Sequence, residues 1–220
     1  MEINTLLLQL DTYFGPVHWQ PQHDGLSELI MTILSHQTTD RNSAHAFATL
    51  THPTPDWPTI HALPITEIIE KIRVAGLAQR KAQYILTTLD IVSQRDIPYS
   101  IDFLATMPVT DAMQWLMQLP GIGPKTAACV LLFAYGRPVT PVDTHIARVC
   151  QRLQLVPATH AVHIQQQLES LVPDDRKYAF HVHMIQLGRR VCHARQPLCE
   201  LCPLASACPS ALNSQHSHEH

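Results

Sequence analysis

Four closely spaced cysteines near the C-terminal end constrain this chain more than any other feature. Cys192, Cys199, Cys202 and Cys208 follow the spacing C-x6-C-x2-C-x5-C, all within the 17 residues from 192 to 208. A loop this tight wraps one compact inorganic centre. Four thiolates suit a zinc ion, and they also suit a [4Fe–4S] cluster. Zinc ribbons place two C-x2-C pairs well apart, whereas this loop contains one such pair. The remaining cysteines, Cys129 and Cys150, fall on apolar helical faces and read as core residues.

The N-terminus, Met1-Glu2-Ile3-Asn4, shows no basic segment followed by an apolar run, and no stretch is long enough to span a bilayer. A cytoplasmic protein without a membrane partner is expected. In that compartment cysteines are poor disulfide candidates and better metal or cluster ligands.

The 220 residues suffice for one ordinary domain or two small interleaved ones. With 45% apolar and 15% charged residues the chain can bury a real core. Apolar periodicity near 3.6 predicts helices over 1–14, 27–34, 41–50, 65–74, 79–92, 111–119, 124–135, 143–155, 161–171 and 176–190. Pro53, Pro55 and Pro58 break the chain, and 98–108 reads as a connector with room for a short helix. No strand pattern is present and the connections are short, so the fold class is all-α. Residues 213–220 are polar and His-rich and read as a disordered tail.

A net charge of −3 argues mildly against nucleic-acid binding, although 15 histidines soften the point. Distribution matters more. From Gly121 to Arg152 four basic residues (Lys125, Arg137, Arg148, Arg152) face one acidic residue, Asp143, and Arg189, Arg190 and Arg195 form a second basic group. Each group reads as an anion-facing surface or as a solvated face.

Two helices flank the turn Leu119-Pro120-Gly121-Ile122-Gly123-Pro124-Lys125-Thr126-Ala127. Glycine permits unusual backbone angles and close approach of another backbone. Pro124 stands where a first helical residue belongs. Such a turn presents free N–H groups at a helix start, a good site for a phosphate, or it is a plain helix–helix connection. Downstream, Asp143 in Val142-Asp143-Thr144-His145 begins a helix and reads first as an N-cap.

These strings resemble the endonuclease III family of helix-hairpin-helix DNA glycosylases. The nine-residue turn resembles the family hairpin, Val-Asp-Thr-His its catalytic aspartate segment, and the cysteine spacing its iron–sulfur loop. The resemblance runs from about Leu26 to Pro209. It implies a [4Fe–4S] cluster on Cys192, Cys199, Cys202 and Cys208, mainly structural and DNA-positioning. It implies Lys125 as the nucleophile and Asp143 as the carboxylate that stabilises the cationic sugar. Lysine attacks only when deprotonated, which burial or nearby positive charge promotes. An oxocarbenium-like state is well served by an adjacent carboxylate. Gly121, Ile122, Gly123 and Thr126 would contact DNA through the hairpin. His145 would orient a neighbour or touch the DNA backbone, or it is structural.

Base removal requires the nucleotide to leave the stack and something to fill the gap. Leu34-Ser35-His36-Gln37-Thr38-Thr39-Asp40 resembles the family's Leu-Ser-x-Gln-x-x-Asp segment, which makes Gln37 the gap-filling residue; read alone, the segment is a polar helix break. Ala75-Gly76-Leu77 resembles the second wedge, with Leu77 inserting beside the estranged base, although a leucine after glycine is more often core. His36 stands where small residues are common in the family, and the connector at 100–108 looks longer than in its best-known bacterial members.

The implied architecture is two helical domains with the active site in the cleft between them. One is a six-helix domain over 24–137, with the hairpin at about 112–135. The other is an iron–sulfur domain built from 1–23 and 138–212. The expected protein is a monomer that acts on double-stranded DNA with damaged bases or abasic sites, nucleoid-associated in a prokaryote. The expected activity is glycosylase plus β-lyase, with oxidised pyrimidines as substrates. A monofunctional mismatch thymine or uracil glycosylase and a non-catalytic DNA-binding iron–sulfur module are the competing readings.

Overall fold

Capping residues mark where the helices begin. Asp24, Thr39, Asp56 and Asp143 each accept the backbone N–H three residues on, the arrangement that satisfies an orphan donor of the first turn. The computed structural model describes residues 2–216. In chain order its α-helices are α1 (Ile3–Phe14), α2 (Gly25–Leu34), α3 (Asp40–Thr51), α4 (Trp57–His61), α5 (Ile65–Ile72), α6 (Ala78–Ser93), α7 (Val109–Met117), α8 (Pro124–Tyr135), α9 (Thr144–Leu153), α10 (Ala161–Leu171), α11 (Lys177–Arg190) and α12 (Pro209–His216). Among the described residues there is no strand, as the all-α expectation requires.

Two helices lie where none was predicted. α4 begins inside the proline-rich break because Pro58 occupies its first turn, where a missing N–H costs nothing. α12 reaches His216, so the expected disordered tail falls partly in that helix and partly, at 217–220, outside the described residues. The connector before α7 holds a 3₁₀ turn, Asp102–Ala105. It is pinned from the end of α8 and the residues just after it: the Arg137 guanidinium donates to the carbonyls of Leu104, Ala105 and Met107, and Tyr135 Oη donates to Asp102 at 3.1 Å.

Residues 21–137 form one compact unit. Its centre is α2 packed on α8. Both helices bury residues on nearly every side, among them Leu29, Ile30, Ile33 and Leu34 of α2 and Ala127, Val130 and Leu131 of α8. A helix apolar all round belongs inside a protein. Gly25 allows the approach, because a Cβ there would fall on the Tyr135 phenol. α3, α5 and α6 surround this pair.

The described residues of 1–20 and 138–220 form the second unit. α9 packs on α11, and α1, α10 and α12 pack around them. Leu6, Leu7, Leu10, Ile146, Val149, Ile164, Leu168, Phe180 and Met184 fill its core, and Leu204 and Cys208 of the cysteine loop join it.

Candidate functional site

The hairpin is built by α7, the turn Leu119–Gly123 and α8, and its two glycines do different work. Gly121 has φ +78°, and a Cβ there would strike the Tyr84 ring, so the fold itself demands glycine. Gly123 has φ −97° and open space around its absent side chain; nothing in the fold demands glycine there. It is the N-cap of α8 and offers no side-chain cap, so the first-turn N–H groups are left facing outward without one. Ile122 and Thr126 are buried, whereas Lys125 is exposed on the first turn of α8.

α2 ends against this turn. His36 Nε2 lies 3.1 Å from Thr126 Oγ1. Burial first, then the ammonium groups of Lys125 and Lys81, hold His36 below the usual imidazole range, so the ring is neutral at physiological pH. Two turns earlier on α2, burial pushes the Glu28 carboxyl up to about 7 against an opposing hydrogen bond from Thr32.

Gln37 and Leu77 share an unusual conformation. Both have φ +51°, a left-handed geometry that non-glycine residues seldom adopt. Both are exposed, Leu77 by 48%. Leu77 is thus not a core residue. Beneath the two segments lies Lys81, only 2% exposed. Its Nζ donates to Leu34 O at 2.7 Å and to Ala75 O at 2.8 Å, and burial lowers its pKa. Sequence reasoning missed Lys81. The available signal was a lysine on the apolar stripe of α6, in register with Ile85, Thr88 and Val92.

In the other unit Asp143 is half-buried and caps α9: Oδ1 accepts from Ile146 N at 2.8 Å. Three contacts hold the strand-like approach to it. Lys177 Nζ donates to Pro138 O, Thr140 N donates to Glu169, and His181 Nδ1 meets Pro141 O at 3.0 Å. His145 Nδ1 accepts from the Arg148 guanidinium at 3.1 Å. Arginine only donates, so the ring proton sits on Nε2. Gly188 lets α11 come this close, since a Cβ there would meet His145 at 2.8 Å.

All four loop cysteines line one cavity of about 150 Å³, with Arg152, Val191, Leu198 and Ala205 among its other walls. Arg152 donates to Cys192 Sγ at 3.1 Å and to the carbonyls of His193 and Ala194. Burial, and next to it the proximity of the other loop thiols, raises the Cys199 pKa; Cys202 is raised too, by burial first. Thiolates crowded this way call for a cationic centre. Among the described residues no group of three His, Cys, Asp or Glu side chains could hold a single ion. Arg189, Arg190 and Arg195 stand exposed beside the loop. Cys129 and Cys150 are core residues as expected, and burial raises the Cys150 thiol to about 12.

An exposed lysine past a glycine turn, an aspartate that caps α9 and a four-thiol loop are the chemistry-bearing features of this helical chain. The family described as HhH-GPD superfamily base excision DNA repair protein matches residues 30–174, and the chain belongs to that superfamily. It is 37% identical to endonuclease III of Synechocystis sp. over 83% of this chain and 80% of that protein. It is 34% identical to endonuclease III of Escherichia coli K12 over 82% and 81%. A trapped endonuclease III–DNA covalent intermediate superposes with TM-score 0.80 at 28% identity, covering 97% of each chain. A thermostable thymine-DNA glycosylase shares the fold, with TM-score 0.78 at 21% identity and 96% of each chain covered. Family and relatives support the expected DNA glycosylase with abasic-site lyase action. No described helix is long and apolar enough to cross a membrane.

Proposed function

We propose that this glycosylase–lyase removes oxidised pyrimidines from double-stranded DNA through Lys125, assisted by Asp143. The observation that carries the reading is the exposed amine of Lys125, two residues past a glycine that the fold does not require. Space at Gly123 and free N–H groups suit a phosphate of the strand being processed. Gln37 and Leu77 fill the gap left by the extruded nucleotide; exposure of an apolar leucine in a left-handed conformation supports that role.

Chemically, the Lys125 amine attacks the sugar C1′ and the damaged base leaves with the glycosidic electron pair, taking up a proton. The Asp143 carboxylate stabilises positive charge on the sugar as the bond breaks. Ring opening gives a Schiff base at C1′. Loss of a C2′ proton then expels the 3′ phosphate, cutting the strand. The His145 Nε2–H is a donor suited to a DNA phosphate.

Cys192, Cys199, Cys202 and Cys208 fit a [4Fe–4S] cluster. One cavity of about 150 Å³ lined by all four thiols supports that reading. A cluster bound there would supply rigidity to the loop beside Arg189, Arg190 and Arg195, whose exposed guanidinium groups suit the DNA backbone.

Borohydride trapping on abasic duplex DNA tests the reading. A covalent adduct with the wild type and none with Lys125→Ala is expected. No wild-type adduct, or an undiminished one from Lys125→Ala, overturns it.

A further inference from the structure

Gln37 and Leu77 come from different segments of residues 21–137, yet a single buried side chain underlies both. Leu34, whose carbonyl Lys81 engages at 2.7 Å, is the last residue of α2 and lies three residues before Gln37. Ala75, engaged at 2.8 Å, ends the 3₁₀ turn two residues before Leu77. Lys81 is also tied to Leu77 directly, because its backbone N–H donates to Leu77 O at 3.0 Å.

We propose that Lys81 is a positioning residue that locks the Gln37 and Leu77 segments to one another, so that both reach the same gap in the duplex. A left-handed conformation at a non-glycine residue persists only where its surroundings over-determine it. An ammonium is suited to this: it carries three tetrahedral donors and no acceptor, so it joins carbonyls that would otherwise repel. Burial removes competing water and stiffens the link. Fold stability alone does not call for a lysine here, since a methionine would fill the same volume on the apolar stripe of α6. What a methionine cannot do is bond the two carbonyls. The proposal rests on the reading that Gln37 and Leu77 fill the gap.

The test separates gap filling from chemistry at Lys125. Single-stranded abasic DNA needs no gap filled, so borohydride trapping on it reports the amine alone, whereas excision of an oxidised pyrimidine from a duplex requires both. The ratio of the two rates is measured for wild type, Gln37→Ala, Leu77→Ala, Lys81→Met and Ile85→Ala. Ile85 is buried on the same helix and controls for lost stability. Fluorescence of 2-aminopurine opposite the lesion reports whether the estranged base is displaced.

Lys81→Met is expected to lower the ratio about 10- to 100-fold, the usual cost of misplacing a positioning group by about an ångström. It should also quench the 2-aminopurine rise, while Ile85→Ala leaves both unchanged. Should Lys81→Met fail to fold, Lys81→Gln, whose amide retains two donors, enters the same comparison and is expected to show a smaller loss in the same direction. If Gln37→Ala and Leu77→Ala lower the ratio but the Lys81 variants keep the wild-type value, the positioning role is overturned. If Gln37→Ala and Leu77→Ala themselves keep the wild-type ratio, the gap-filling reading fails instead.

Discussion

His36 Nε2 lies 3.1 Å from Thr126 Oγ1, so the end of α2 is hydrogen-bonded to the second residue after Pro124 in the hairpin. The ring is neutral near pH 7 because burial, Lys125 and Lys81 all disfavour its charge. A double-mutant cycle with His36→Ala and Thr126→Val should give a coupling of about 1 kcal/mol in urea unfolding, the usual net worth of a neutral hydrogen bond. Additive effects would show that the pair does not form in solution.

Glu28 gives the protein a pH-dependent stability. Its folded pKa, about 7, exceeds the ordinary 4.5, so the folded state holds the proton more tightly than the unfolded chain. The contribution is complete below about pH 4.5 and is lost as pH rises through 7. Glu28→Gln should therefore gain on the order of 1–3 kcal/mol over wild type at pH 8 and nothing at pH 4. Thermal melts across that range check it; a constant difference would contradict it.

Asp143 serves as a helix cap and, in the proposed mechanism, as a carboxylate. Asparagine caps as well as aspartate, whereas alanine does not. Asp143→Asn should unfold within about 0.5 kcal/mol of wild type and Asp143→Ala about 1 kcal/mol below it. Both should lose excision by about a hundredfold or more. Full activity in Asp143→Asn would leave only the cap.

The two hairpin glycines should respond oppositely to alanine. Gly121→Ala meets the Tyr84 ring and a positive φ, and should cost about 1–2 kcal/mol or more. Gly123→Ala has open space and an ordinary φ, and should stay within about 1 kcal/mol of wild type. If the open space admits a phosphate, Gly123→Ala still weakens DNA retention about tenfold in a gel-shift titration. Unchanged retention would mean the turn is only a connection.

Cys202→Ser removes one wall of the shared thiol cavity. Wild-type protein purified without oxygen should carry about four iron atoms and absorb near ~400 nm, and the variant should lose most of both. Zinc without that absorbance would replace the cluster reading.

Much of this was legible in the chain. Apolar periodicity located ten helices because most bury one face and expose the other; α10 runs over 161–171 as read. The short α4 and α12 were not legible, since five or eight residues hold too few repeats of a 3.6 period, and α4 begins among prolines that otherwise signal a break. Lys125, Asp143 and the four cysteines stand out because glycine turns, caps and thiol spacing are local in sequence. Lys81 shows only as a lysine on an apolar stripe; its role does not show, because its partners, Leu34 O and Ala75 O, are backbone atoms that leave no trace in residue identity.

By itself the sequence determined what local chemistry requires: an all-helical chain, a tight turn with glycines at 121 and 123, a cap at 143, and thiols close enough to share one centre. Only the tertiary structure decided that Leu77 is exposed and not core, that Gly123 is free of steric demand, that Lys125 is unburied and that Lys81 joins two distant segments. Those outcomes depend on which surfaces meet when helices pack. Burial and hydrogen bonding to distant carbonyls are properties of that meeting, and no stretch of residues encodes them alone.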